Sequence, residues 1–297
     1  MTGGILQGAE LRDACRGTKV ARSIACALAV AIGPFAIPGS IAAQAEDAAS
    51  AWVQGHMVRT RLLAGGMADG KLVAGVVMEM ADGWKSYWRT PGDAGGVPPS
   101  FDWSRSGNLA SAKVLYPAPR RMVDKAGTTI GYKGSVVFPV LVEPADPARP
   151  VDLKLDFSFG TCHDICVPGE SAHEVEIGTK GSKLPDGLVE ALSRVPTSKP
   201  VGGRPELRKS EINLSGAAPS ILLHVVFADG AEGADAFAEG PDGEYVPIPK
   251  LKSQTGEVRI YEIDLTEGAD VAALQGKSVL VTLVSSKGQS EVRLPLE

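Results

Sequence analysis

The chain has 297 residues, 44% of them apolar, with 35 acidic against 30 basic side chains and a formal net charge of −5. With a mean hydropathy near zero, this is the composition of soluble globular cores, long enough for two ordinary domains, and it excludes disordered and fibrous classes. The acidic balance also argues against nucleic acid as a partner, because no basic excess faces a phosphate backbone.

Arg12, Arg16, Lys19 and Arg22 precede the run "SIACALAVAIGPFAIPGSIA", which closes on Ala43-Gln44-Ala45. A basic start, an apolar middle and a small-residue end predict a secretory signal peptide over residues 1–45, cleaved near Ala45. Gly33, Pro34, Pro38 and Gly39 interrupt the run before it reaches the roughly 20 residues a membrane span needs. Cys26 lies near its start, whereas a lipid-attachment cysteine follows such a run. Downstream, "KLVAGVVMEMA" is broken by Glu79 and "SILLHVVFA" is too short to span. The mature chain is therefore expected to be exported to the periplasm, with no stable membrane insertion. Cleavage removes those four basic residues with Glu10 and Asp13, taking the net charge from −5 to −7. It also removes Cys15 and Cys26, so the mature protein keeps only Cys162 and Cys166.

From Trp52 onward, short alternating runs separated by Gly, Pro, Asp and Asn predict antiparallel strands. The first group is "HMVRTRLLAG", "GKLVAGVVMEMADGWKSYWR", "LASAKVLYP", "SVVFPVLVEP", "VDLKLDFSF" and "SAHEVEI". In "VDLKLDFSF" the strict alternation places Val151, Leu153, Leu155, Phe157 and Phe159 on one face, which belongs in a core. "LPDGLVEALSRVP" predicts a helix with Asp186 as its cap, a stripe of Leu188, Val189, Leu192 and Val195, and Pro196 as its stop. "TSKPVGGRP" has the composition of a linker. Then "SILLHVVFADG", "EVRIYEIDL", "SVLVTLVSS" and "SEVRLPLE" predict a second strand-rich region. The expected fold is all-β: two β-sandwiches in series, at 46–181 and 205–297, joined by a short helix and linker over 182–204.

The chemistry concentrates in "FSFGTCHDICVPGESAHEVEI", Phe157 to Ile177. Residues four apart in an extended strand are separated by about 13 Å, while a disulfide tolerates roughly 4.4–6.8 Å between Cα atoms. The segment from Cys162 to Cys166 must therefore turn, and a hairpin between the flanking strands puts the pair at its connection. A bridge there closes only a few residues and removes little entropy from the unfolded chain, so a staple is a weak explanation. An accessible pair of this kind suits disulfide exchange. A structural staple and a Cu(I) site built from Cys162, Cys166 and His163 remain open. His163 and Asp164 can tune thiolate formation or serve as solvated turn residues, and Glu170 and His173 are expected to be turn and strand-face residues. Other catalytic signals are absent: "QGKS" at Gln275 to Ser278 lacks the first glycine of a P-loop and precedes a strand. No organic cofactor is implied.

"DGWKSYWRTPGDAGGVPP", "TIGYKGSVVFPVLVEP" and "FGTCHDICVPGE", in that order, resemble the periplasmic N-terminal domain of the DsbD family of thiol:disulfide interchange proteins. The likeness is nearest to the two-domain form found in suppressor-of-copper-sensitivity reductases, and it covers roughly Trp52 to Ile177. It implies an immunoglobulin-like sandwich whose cysteine pair, Cys162–Cys166 as a disulfide, relays electrons from a membrane-embedded thiol reductase to a periplasmic thioredoxin-like or disulfide-isomerase-like acceptor, in the manner of a protein-disulfide reductase. By the same resemblance Cys166 forms the mixed disulfide and Cys162 resolves it. Arg120 to Tyr132 matches a cap over the cysteines, and Asp124 an acidic residue near the sulfurs. The family's aromatic cap residue has no match among Met122 to Ala126, so shielding is expected from Met122 or Tyr132. Trp84, Tyr87 and Trp88 match an aromatic stretch lining the site, and a period of two places Trp84 and Trp88 on one face and Tyr87 on the other. The electron-transfer membrane segment and thioredoxin-like domain of the full reductases have no counterpart in this sequence.

Overall fold

The structure is a computed structural model, and it describes residues 49–125, 127–178, 183–198 and 201–297. The predicted signal peptide lies outside the described residues.

The chain is all-β apart from two α-helices and two short 3-10 turns among the described residues. One sheet of the first region contains β1 (Val53–Gly55), β2 (Val58–Ala68), β3 (Lys71–Met80), β6 (Leu109–Val114) and β9 (Ser135–Pro144), in the order β1-β2-β3-β9-β6. The facing sheet contains β4 (Lys85–Tyr87), β5 (Ser100–Asp102), β7 (Arg120–Asp124), β8 (Gly127–Lys133), β10 (Val151–Cys162) and β11 (Cys166–Ile177). Its order is β11-β10-β4-β8-β7, and β5 pairs further along β10. Period-two alternation explains the packing. Val151, Leu153, Leu155, Phe157 and Phe159 are all buried, as their spacing predicts, and they meet Leu62, Val76, Met78, Phe138 and Val140 from the first sheet. Phe101 stacks on Phe157 with ring centroids 4.9 Å apart and meets Phe138 edge-on at 5.5 Å, so aromatic rings from both sheets interlock in this core.

α1 (Asp186–Ser193) follows, with Pro185 rather than Asp186 at its N-cap position and no side-chain cap hydrogen bond. Asp186 sits instead in the first turn, where its charge favours the positive end of the helix. The stripe is also narrower than predicted: Leu188 and Ala191 are buried, while Val189 is exposed.

The second region pairs β12 (Glu206–Asn213), β13 (Ser220–Val226), β15 (Lys250–Thr255) and β16 (Val258–Asp264) in the order β12-β13-β16-β15. Opposite lie β14 (Asp235–Glu239), β17 (Ser278–Ser285) and β18 (Gly288–Pro295), with β17 in the middle. Ile221, Leu223 and Val225 from one sheet and Val279, Val281 and Leu283 from the other form its core. Between β16 and β17 lies α2 (Val271–Leu274), a one-turn helix that no sequence signal announced; Asp270 caps it by accepting from the Ala273 N–H.

The two regions meet through side chains. Trp88 packs on Phe237 with ring centroids 5.9 Å apart, and Phe237, Ile248 and Val284 join the buried cluster of the first region. Around this contact Arg89 donates to Glu239 and Glu291, Thr90 to Glu239, and Arg121 to Asp235.

Candidate functional site

β10 and β11 form an antiparallel ladder running from Val151↔Ile177 to Cys162↔Cys166, so the cysteines are the last register pair before a tip of His163, Asp164 and Ile165. They are joined, with an S–S distance of 2.05 Å and Cα atoms 4.2 Å apart. The two cysteines are unequally placed: Cys162 is 1% exposed, whereas Cys166 is exposed.

Register carries other side chains to the same face. Cys162 pairs with Lys85 of β4, Lys85 with Lys133 of β8, and Tyr87 with Gly131. Alternation then puts Lys85, Tyr87 and Cys162 on the face opposite Ser86, whose hydroxyl donates to the Gly160 carbonyl. Across β8, Met122 and Asp124 of β7 pair with Thr129 and Gly127 and reach this face as well.

The Tyr87 hydroxyl lies 2.5 Å from Cys162 Sγ and 3.1 Å from Cys166 Sγ. Burial raises the Tyr87 pKa, and the charge of Asp124 raises it further, so the phenol keeps its proton and remains a donor. Lys85 donates to Asp124 at 2.5 Å and to the Thr129 hydroxyl at 2.9 Å. Its side chain is 9% exposed, so the Asp124 carboxylate gives a buried ammonium its counter-charge. A cleft of about 300 Å³ opens beside the disulfide, lined by Cys162, His163, Lys85, Met122, Val123 and Asp124, among others.

The ring of Tyr87 is held by glycines. At Gly96, with φ +149°, a Cβ would lie 2.1 Å from a Tyr87 ring carbon. At Gly160 a Cβ would approach the same ring to 3.0 Å. The glycine-rich segment after β4 therefore folds over Tyr87, anchored by the Ala94 N–H donating to the Thr128 carbonyl and the Gly160 N–H donating to the Val97 carbonyl.

The predicted site residues are distributed as follows. Cys162, Cys166, Tyr87, Asp124 and Met122 come together, and the Arg120 to Tyr132 segment forms the β7–β8 hairpin beside them. His163 and Asp164 are exposed tip residues joined to each other, Nδ1 to Oδ2 at 2.9 Å. Trp84 is buried, and its ring lies 6.1 Å from that of His163 and 5.2 Å from that of His56, so it supports the tip from the core side. Two residues are corrected. Tyr132 points into the core, donating to the Pro117 carbonyl at 2.9 Å and packing on Phe138; Tyr87 is the aromatic at the sulfurs. Trp88 is fully buried against Phe237 and Arg89 and lines the contact between the two regions, because alternation puts it on the face opposite Tyr87 and the sulfurs. The alternation argument separated Tyr87 from the tryptophans but could not say which face held the sulfurs.

Sequence reasoning missed Lys85, although its spacing of two from Tyr87 within a strand was a usable signal. It also missed the apolar rim formed by Val123, 73% exposed, and Ile165, 66% exposed. For the copper alternative, among the described residues no group of three or more His, Cys, Asp and Glu side chains is placed to hold a metal. Nor is any helix among them long and apolar enough to cross a membrane. Glu170 and His173 both lie within β11, and His173 is buried.

Residues 61–176 match the family described as thiol:disulfide interchange protein DsbD, N-terminal. No curated protein matches the chain significantly. Among solved structures, the N-terminal periplasmic domain of ScsB from Proteus mirabilis matches with a TM-score of 0.63 and 18% identity, covering 84% of this chain and 99% of that one. At that identity the likeness is one of fold, and its coverage exceeds either β region alone.

Proposed function

With a DsbD-type N-terminal domain at residues 61–176 as the premise, we propose that this chain is an exported thiol–disulfide exchange protein working in the periplasm after loss of residues 1–45. Its donor is a membrane-embedded thiol reductase, and its acceptor a periplasmic thioredoxin-like or isomerase-like protein. The observation that carries the reading is the asymmetric pair: a disulfide at a hairpin tip, one cysteine exposed, the other buried, and a protonated phenol in contact with both sulfurs.

In the reduced protein the Cys166 thiolate attacks one sulfur of the acceptor disulfide. The Cys166–acceptor bond forms, the acceptor S–S bond breaks, and the second acceptor sulfur leaves as a thiolate. Cys162 then attacks Cys166 Sγ, restoring the Cys162–Cys166 bond and releasing the acceptor as a dithiol; two electrons have moved outward, and the donor's dithiol restores them. Tyr87 donates to the thiolate that forms in each step, and the Lys85–Asp124 pair fixes the local charge. His163 and Asp164 act at the tip on thiolate formation. The second region serves as a scaffold, and the division at about residues 182–204 follows from the helix and linker there.

The test is the reduction potential of the pair in the mature protein, together with trapping. A value between about −180 and −270 mV fits an exchange protein, whereas one below about −300 mV marks an inert staple and would end this reading. With an acceptor disulfide, Cys162→Ser should accumulate a mixed disulfide through Cys166, and Cys166→Ser should not.

A further inference from the structure

Polar contacts between the two β regions converge on the segments that flank the sulfurs. On one side, Arg121 of β7 makes a bidentate pair with Asp235, both bonds 2.8 Å, and donates to the carbonyls of Pro249 at 2.8 Å and Ala236 at 3.2 Å. Its neighbours Met122 and Asp124 line the cleft beside Cys162. β7 is an edge strand with β8 as its ladder partner, so this clamp is its second anchor. On the other side, Arg89 is held by Glu239 and Glu291, Thr90 by Glu239, and Asp93 by the Tyr245 hydroxyl at 3.0 Å. Those residues begin the segment whose Gly96 presses on Tyr87. Burial opposes the charge of Arg89, and its hydrogen bonds to Glu239 and Glu291 outweigh that, so the guanidinium stays charged and the clamp persists.

We propose that the second β region is a positioning device for the exchange site: through Asp235 and Glu239 it holds closed two covers, β7 beside Cys162 and the 89–97 segment over the Tyr87 ring that touches its sulfur. Arg121 and Arg89 are positioning residues, acting through the covers and not on the reacting sulfurs. The inference rests on the exchange reading for its purpose but not for its test.

The measurement is the rate at which iodoacetamide alkylates Cys162 in the full mature chain carrying Cys166→Ser, where the buried thiol reacts only through opening. Adding Arg121→Ala, Asp235→Ala or Glu239→Ala should raise the rate about tenfold, equivalent to about 1.4 kcal/mol less preference for the closed state. Arg121→Ala combined with Asp235→Ala should go no further than Arg121→Ala alone, because Asp235 acts on β7 through Arg121. Lys252→Ala, which breaks an exposed ion pair on β15, is the control and should leave the rate unchanged. If Arg121→Ala fails to fold, Asp235→Ala and Glu239→Ala carry the test. Rates within twofold of the parent in the clamp variants, or equal acceleration by Lys252→Ala, would overturn the proposal. A wild-type pair that resists reduction by the glutathione pool would instead remove the exchange reading and leave the alkylation result intact.

Discussion

Tyr87 is the residue through which burial, charge and geometry act together on the sulfurs. In the reduced protein its phenol is positioned to donate to a thiolate, which favours the ionised sulfur. Tyr87→Phe keeps the ring and removes that donor. Titrating the reduced pair by thiolate absorbance should give a higher thiol pKa in the variant, and exchange at pH 7 should slow several-fold; an unchanged titration would show that the hydroxyl only fills space. A second prediction concerns the glycine that seats the ring. Gly96→Ala puts a methyl 2.1 Å from a ring carbon at a backbone angle that disfavours a side chain, so Tyr87 must move. A destabilisation of about 1–3 kcal/mol should follow, read from the denaturant midpoint and accompanied by altered sulfur reactivity. The cysteine turn was legible from arithmetic alone, because four residues of extended chain are too long for a disulfide. The glycine seat was not, since which ring lies over Gly96 is decided by the path of the 89–97 segment, and no local pattern records that path.

Among the elements, β11 is attached to the facing sheet by a buried polar cluster as well as by apolar packing. His173 lies 3.1 Å from the Ser50 hydroxyl through Nδ1 and 3.0 Å from Thr60 through Nε2, with Ser171 also 3.0 Å away. Desolvation by burial lowers the His173 pKa below its usual value. The folded state therefore binds this proton less readily than the unfolded chain, so stability is fully present above the unfolded pKa of about 6.5 and declines as pH falls through that value toward the folded pKa. The thermal midpoint should drop between pH 7.5 and 5.5 by more in the wild type than in His173→Gln; equal drops would place the acid sensitivity elsewhere. Strand prediction was strongest where alternation was strict or the apolar run unbroken: β10, β9 and β17 begin at Val151, Ser135 and Ser278, the first residues of their predicted runs. It was weakest at β1, β5, β7, β8, β12, β14 and β15, for which no run was predicted. β15 is exposed along its length and β7 is a short edge strand, and neither carries an alternating buried face.

For the whole molecule, the first buried cluster does not stop at the linker, because Phe237, Ile248 and Val284 belong to it. Trp88 is the largest side chain at that junction. Its replacement by Ala should cost about 3–5 kcal/mol and uncouple the two regions, so that a single unfolding transition by calorimetry separates into two. One unbroken transition in Trp88→Ala would mean that the polar clamps suffice. Two sandwiches in series were readable from strand spacing; their contact was not, because Arg89 and Glu239 are 150 residues apart and nothing local in either segment names the other. The β10–β11 ladder carries one more consequence. It sets Cys162 opposite Cys166 through eleven preceding register pairs, so breaking the sulfur bond leaves backbone partners and hydrogen bonds where they were. Under the proposed exchange role, the oxidised and reduced forms of the pair would thus share one scaffold, with no refolding between them.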